Sequence, residues 1–177
     1  MKDIKYFKQF DIKFATLGIG LHEFDLKIDN TFFSKHTNEE IKDADIDIKL
    51  SLNKKETMCL FNFSLQGKLV LICDLCLEDL EYVFHTKEEL ILKISNEVRQ
   101  SEDENIVYIH SNEQIFNVEQ FLYEIIYAQV PMRKAHQEMN QTCNQEMIHW
   151  IEMNSKEKIQ HTDPRWEGLK DIKLENN

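Results

Sequence analysis

Glycine and proline are scarce, four and two in 177 residues. That excludes a linker-rich or disordered chain and leaves few tight glycine turns. Basic clusters are just as thin. Arg99, Arg133 and Arg165 stand apart, and the longest basic runs are the pairs Lys54-Lys55 and Arg133-Lys134. The formal net charge is −11. A protein that grips phosphates directly needs a basic patch that releases counterions, so tight unaided binding to RNA is not expected. A basic protein partner suits the charge better, because an acidic surface speeds encounters with cations.

Long apolar runs are missing too. The longest, Leu69 to Cys73, is far short of the ~20 residues that a membrane span needs. The N-terminus, Met1-Lys2-Asp3-Ile4-Lys5, carries an early acid and leads into no apolar segment, unlike a secretory leader. These features predict a cytoplasmic protein with no membrane contact. In that compartment the four cysteines are expected to be reduced, metal-bound or buried rather than disulfide-paired.

Catalytic signatures are absent as well. There is no glycine-rich phosphate loop, no nucleophile elbow and no evident carboxylate pair. His22, His36, His85, His110, His149 and His161 lie in dissimilar contexts, and none forms the helical pair with a nearby Glu that a metalloprotease shows. The expectation is a non-enzymatic chain.

What is present predicts one α+β domain over residues 1–177, its character changing about two-thirds of the way along. Phe24, Leu26 and Ile28 alternate with Asp25 and Lys27, the period of a half-buried strand over 21–28. Ile46, Ile48 and Leu50 do the same over 44–52. A long strand follows over 58–72, where Gly67 suggests a bulge or sharp bend. Another strand runs over 81–94, and a short one over 106–109. Together they predict an antiparallel sheet or a partly closed barrel. The acidic stretch 95–105 reads as a mobile loop. Phe61, Phe63 and Phe84 alternate as core residues, with no Arg or Lys interleaved as on a base-stacking platform.

The last third predicts two to three helices. Asn117 reads as an N-cap with Gln120 as its capping-box partner, and Val118, Phe121, Leu122, Ile125 and Ile126 make one apolar stripe before Pro131 ends the helix. A second helix is expected over 144–153. A third is expected to open at Asp163-Pro164, with Trp166, Leu169 and Ile172 on its apolar face.

The sharpest local feature is Cys73-Asp74-Leu75-Cys76, two thiols on one turn at the end of a predicted strand. That spacing suits a tetrahedral metal ion such as structural zinc, with His136 and Cys143 as the best further ligands. Two other readings stay open: buried thiols without metal, and a redox pair. The acids in Leu77-Glu78-Asp79-Leu80-Glu81 weigh against the redox pair, since nearby carboxylates raise a thiol pKa. Cys59, inside a strand pattern, reads as core.

In sequence order, a strand with Gly67 leads into Cys73-Asp74-Leu75-Cys76-Leu77-Glu78. A helix then ends in Glu124-Ile125-Ile126-Tyr127-Ala128-Gln129-Val130-Pro131. Last comes Asp163-Pro164-Arg165-Trp166-Glu167-Gly168-Leu169. Over about residues 10–173 this order resembles the YceD family, described as large ribosomal RNA subunit accumulation proteins. The resemblance implies a part in large-subunit ribosomal RNA synthesis or processing, with a ribosomal large-subunit protein or pre-ribosomal particle as partner. It carries over no catalytic residue. Many relatives have a second cysteine cluster after the helix proline, where this chain has only His136 and Cys143. Either His136 replaces a thiolate to give a Cys₃His site, or the metal has been lost. Asp163 and Pro164 suit a helix start. Arg165 and Trp166 also read as exposed anchors for a partner, being residue types enriched in hot spots.

Overall fold

The computed structural model describes residues 6–35, 40–97 and 103–155. Among the described residues there are seven strands: β1 (Asp11–Ile12), β2 (Gly20–Asp29), β3 (Ile41–Lys54), β4 (Met58–Ile72), β5 (Asp79–Ser95), β6 (Ile106–His110) and β7 (Phe116–Asn117). Helix α1 is a single turn (Asn30–Phe33), α2 spans Glu119–Gln129 and α3 spans Gln145–Ser155. None of the helices among the described residues is long and apolar enough to cross a membrane.

The main sheet has the order β2-β3-β4-β5-β6. Its first four strands run antiparallel as a continuous meander, and β6 joins β5 in parallel. The sheet is therefore mixed, and it stays open: β2 and β6 are its two edges. The parallel pair is the departure from an all-antiparallel expectation. It arises because the chain doubles back after Ser95, so that Ile106 starts level with Ile91.

Alternation decides which face is buried. Leu26 and Ile28, then Ile46, Ile48, Leu50 and Leu52, then Phe61, Phe63, Leu65, Leu69 and Leu71 all point to one side and are buried. The other face carries Asp25, Lys49, Ser64 and Lys87 directly opposite one another across four strands. Helix α2 covers the apolar side with Leu122, Ile125 and Ile126, and the Phe121 ring lies 5.3 Å from that of Phe63. An aromatic cluster from the N-terminal segment and α1 extends this layer, with the rings of Phe10 and Phe32 5.2 Å apart.

Gly67 does not mark a bulge. The register runs unbroken through Ile46↔Gly67 and Gly67↔Phe84, and the one irregularity of the β3–β4 pairing lies between Ile41 and Asp43. Glycine is required there for close approach. A Cβ would collide with the Asp45 carbonyl oxygen and lie 2.6 Å from Ile46 Cα.

The start of α2 also differs from a capping box. Asn117 Oδ1 does accept the Glu119 N–H at 2.8 Å, but Gln120 Nε2 donates forward to Glu124 Oε1 instead of returning to the cap. The short β1–β7 pair explains this, because it holds Asn117 opposite Asp11 and the Val118 N–H donates to the Phe10 carbonyl. Helix α2 ends at Gln129, before Pro131. The expected helix at 163 and residues 98–102 of the acidic stretch 95–105 lie outside the described residues.

Candidate metal centre

The site grows from the turn that joins β4 to β5. At its base the Cys73 N–H donates to the Glu78 carbonyl at 2.9 Å, and the Leu77 N–H donates to the Cys73 carbonyl at 3.0 Å. Closing so tight a loop puts Leu77 at φ +61°, a left-handed conformation that side-chain-bearing residues rarely take. The turn presents the Cys73 and Cys76 thiols to the same point.

The opposite wall is the segment between α2 and α3. His136 opens a 3-10 turn that Asn140 terminates at φ +56°. Cys143 follows, and the next residue, Asn144, caps α3 by accepting the Glu146 N–H at 2.9 Å. Polar contacts clamp the two walls. The Asp74 N–H donates to the Lys134 carbonyl at 2.6 Å, and the Lys134 N–H donates back to Asp74 Oδ2 at 2.7 Å. Asn144 Nδ2 donates to Glu78 Oε1 at 2.6 Å, and Gln141 Nε2 donates to the Glu81 carbonyl at 2.7 Å.

Between the walls the donor atoms of Cys73, Cys76, His136 and Cys143 all lie within 4.8 Å of one another, and all four residues are buried. Cys73 Sγ and Cys143 Sγ are 3.9 Å apart. His136 Nδ1 is 3.3 Å from Cys76 Sγ and 3.6 Å from Cys143 Sγ. Zinc at about 2.3 Å from sulfur and about 2.0 Å from nitrogen sets tetrahedral edges of about 3.8 Å for S···S and about 3.5 Å for S···N. The 3.9, 3.6 and 3.3 Å separations lie within about 0.2 Å of those edges. His136 Nε2 lies 3.1 Å from the Asp79 carbonyl. That bond places the ring proton on Nε2 and leaves the Nδ1 lone pair for a metal, the usual outer partner of a ligating histidine.

The sulfurs differ in how readily they ionise. Burial pushes the Cys73 thiol up, yet the backbone N–H groups of Cys76, Leu75 and His136 outweigh it and hold Cys73 down at about 6. The net shift is therefore downward, against the direction that the acids at 78–81 suggest from the sequence. Backbone dipoles at hydrogen-bonding distance override more distant carboxylates. Burial, reinforced by hydrogen bonding to the Cys73 and Cys76 sulfurs, pushes Cys143 up to about 11. Three thiolates cannot share so small a space without a cation among them.

Of the residues singled out in the sequence, the structure brings Cys73, Cys76, His136 and Cys143 together. Cys59 sits apart in the core, fully buried, where burial raises its thiol. Arg165 and Trp166 lie outside the described residues. The residues that the sequence did not reveal are the supporting ones: Leu77, Asp79 through its carbonyl, and the Asp74–Lys134 clamp. Nothing in a sequence flags a leucine for positive φ or a main-chain carbonyl for a histidine.

The family model for the large ribosomal RNA subunit accumulation protein YceD matches residues 61–173, well over half of the chain. The chain belongs to that family. No curated protein and no solved structure matches it.

Proposed function

We propose that this YceD-family chain is a cytoplasmic, non-enzymatic accessory factor for accumulation of large-subunit ribosomal RNA. In this reading it docks on a basic ribosomal protein or a pre-ribosomal particle. Cys73, Cys76, His136 and Cys143 hold one structural zinc that pins the segment before α3 to the β4–β5 turn.

The completeness of the donor set carries the metal part of this reading. A catalytic zinc keeps a coordination position open for water or substrate, whereas a structural one is closed by four protein ligands. Here four donors converge and are sealed from solvent, Cys73 being wholly buried and Cys143 only 4% exposed. The same burial weighs against a thiol oxidoreductase built on Cys73 and Cys76, because exchange requires the attacking thiolate to be accessible. The net charge of −11 favours a basic protein over naked RNA as the direct contact. Arg165 and Trp166 are proposed as additional partner anchors.

Affinity capture of the tagged chain from native lysate at low salt tests the ribosomal part. Large-subunit proteins or ribosomal RNA precursor should co-purify and be lost on a high-salt wash. Clean absence of ribosomal material would reject an assembly role. Metal analysis of the purified chain tests the other part, with one zinc per chain expected. A chain carrying no zinc would leave a general interaction module or a metal-free thiol cluster.

A further inference from the structure

Strand β2 is the long edge of the main sheet, ten residues against the five of β6. Its outward side can be read from the contacts it already makes. The Lys27 N–H donates to Gln9 Oε1 at 3.4 Å, the Asp29 N–H donates to Tyr6 Oη at 3.0 Å, and Tyr6 Oη lies 3.5 Å from the Lys27 carbonyl. None of these acceptors and donors belongs to β3, so the main-chain groups of Lys27 and Asp29 point away from the sheet. In a strand, residues two apart share that direction. The N–H and C=O groups of Leu21, Glu23 and Asp25 therefore line the same outer edge.

Among the described residues, the N-terminal segment bonds that edge only at Lys27 and Asp29. Over Leu21–Asp25 no described residue bonds it. Natural edges are blunted by proline, a bulge, or lysines that repel a further strand. Here the register with β3 is continuous from Gly20↔Lys54 to Asp29↔Asp45, the strand has no proline, and its one lysine is tied to Asp45 at 3.0 Å. Just before and within the uncovered stretch, Ile19 and Leu21 are 70% and 63% exposed. Glu23 and Asp25 are exposed on the solvent face beside them.

We propose that the outer edge of β2 over Leu21–Asp25 receives an extended, lysine- or arginine-rich segment of a partner protein by strand addition. The edge groups supply main-chain hydrogen bonds in this mode, and alternate side chains supply selectivity. Basic residues of the added strand fall opposite Glu23 and Asp25, and an apolar one meets Leu21 or Ile19. A second copy of this chain is the poorer occupant. Pairing two β2 edges sets Glu23 and Asp25 against their own equivalents, and like charges directly opposite are destabilising. The inference stands on the edge geometry and is tested without any ribosomal component, so its failure leaves the ribosomal reading in place and the converse holds too.

The probe is a capped, fluorescein-labelled nine-residue peptide alternating lysine with valine and threonine, with glutamate replacing lysine in the control peptide. Fluorescence anisotropy on the full chain should show binding of the basic peptide, weakened by salt, and none of the acidic one. Amide exchange by NMR should slow at Leu21, Glu23 and Asp25. Glu23→Pro removes an N–H that serves no bond within the sheet, so the fold tolerates it as an edge proline. It should lower peptide affinity roughly tenfold through lost main-chain bonds. The double change Glu23→Lys, Asp25→Lys, which touches no backbone group, should abolish binding even if Glu23→Pro proves poorly folded. The proposal is overturned by failure of the basic peptide to bind, or by equal binding of the acidic peptide. It is equally overturned by an affinity unchanged in folded Glu23→Pro, or by protection appearing at Ser64 and Lys87 instead of the edge.

Discussion

Two regions of this molecule are held together by different means. The sheet and its aromatic cover depend on burial: Phe61, Phe63, Leu65 and Leu69 are essentially inaccessible, and no ion is needed to keep them there. The corner formed by residues 73–78 and 134–144 buries few large side chains. Main-chain hydrogen bonds, the Asp74–Lys134 clamp and four converging metal-type donors define it instead. Helix α3, which leaves that corner, has no buried residue at all. The hydrophobic region should answer to cavities, the corner to chelators and protons.

The largest effect should come from breaking the first region. Phe61→Ala removes a ring that is fully buried and lies 5.6 Å from Phe116. The cavity should cost about 3–5 kcal/mol, read as a lower midpoint in urea unfolding. Loss of stability under about 1 kcal/mol would mean the sheet face is less tightly packed than its geometry shows.

A change in the corner should be as deep but confined. Cys76→Ala leaves three of the four donors, so metal affinity should fall well beyond the roughly 10–100-fold expected of an outer-shell change. Hydrogen exchange should then accelerate over 134–155, while β3 and β4 keep their protection. If β3 and β4 lost protection in step, the two regions would form one cooperative unit and the contrast would be gone. Acid should do the same reversibly. The Cys73 thiol is held at about 6, below its ordinary value of 9.0. Its thiolate therefore contributes stabilisation that is full above that ordinary value and is lost as pH falls through about 6. Metal release followed by a chromogenic chelator should begin below that point, with the far-ultraviolet signal of the sheet unchanged.

Gly67→Ala tests the pinch between β3 and β4. The added methyl has to displace backbone at Asp45 and Ile46, which no side-chain rotation relieves. A cost of about 1–3 kcal/mol is expected for such overpacking. The smallest effect belongs to Asp74→Ala. Losing the acceptor for the Lys134 N–H should cost about 1 kcal/mol, accompanied by weaker metal retention. Unchanged metal retention would show that the donors alone align the walls.

Much of the fold was legible because burial writes itself into alternation. The bounds of β4 match the strand expected over 58–72 from its Phe, Leu and Val content, and β2 and β3 extend only a few residues beyond their periodic cores. Pro131 stops α2 for reasons local to proline. Reading Gly67 as a bulge failed for the opposite reason. A glycine needed for close approach and a glycine needed for positive φ look alike in a sequence, and only the position of the neighbouring strand tells them apart. The capping box at Asn117 failed because tertiary contacts with Phe10 and Asp11 had already claimed that turn.

For the candidate metal centre, residue type and spacing were sufficient to name Cys73 and Cys76, and His136 and Cys143 stood out as the best further ligands after the Pro131 helix. The sequence by itself determined the acidic charge, the strand and helix periods and the membership of the YceD family, and it named the four candidate donors. All of these are properties of short stretches or of composition. The convergence of residues 60 and 70 positions apart, the parallel return of β6 and the place of β2 at the sheet edge were decided only in three dimensions. They depend on which segments the chain brings face to face, and that is settled by the packing of the whole core.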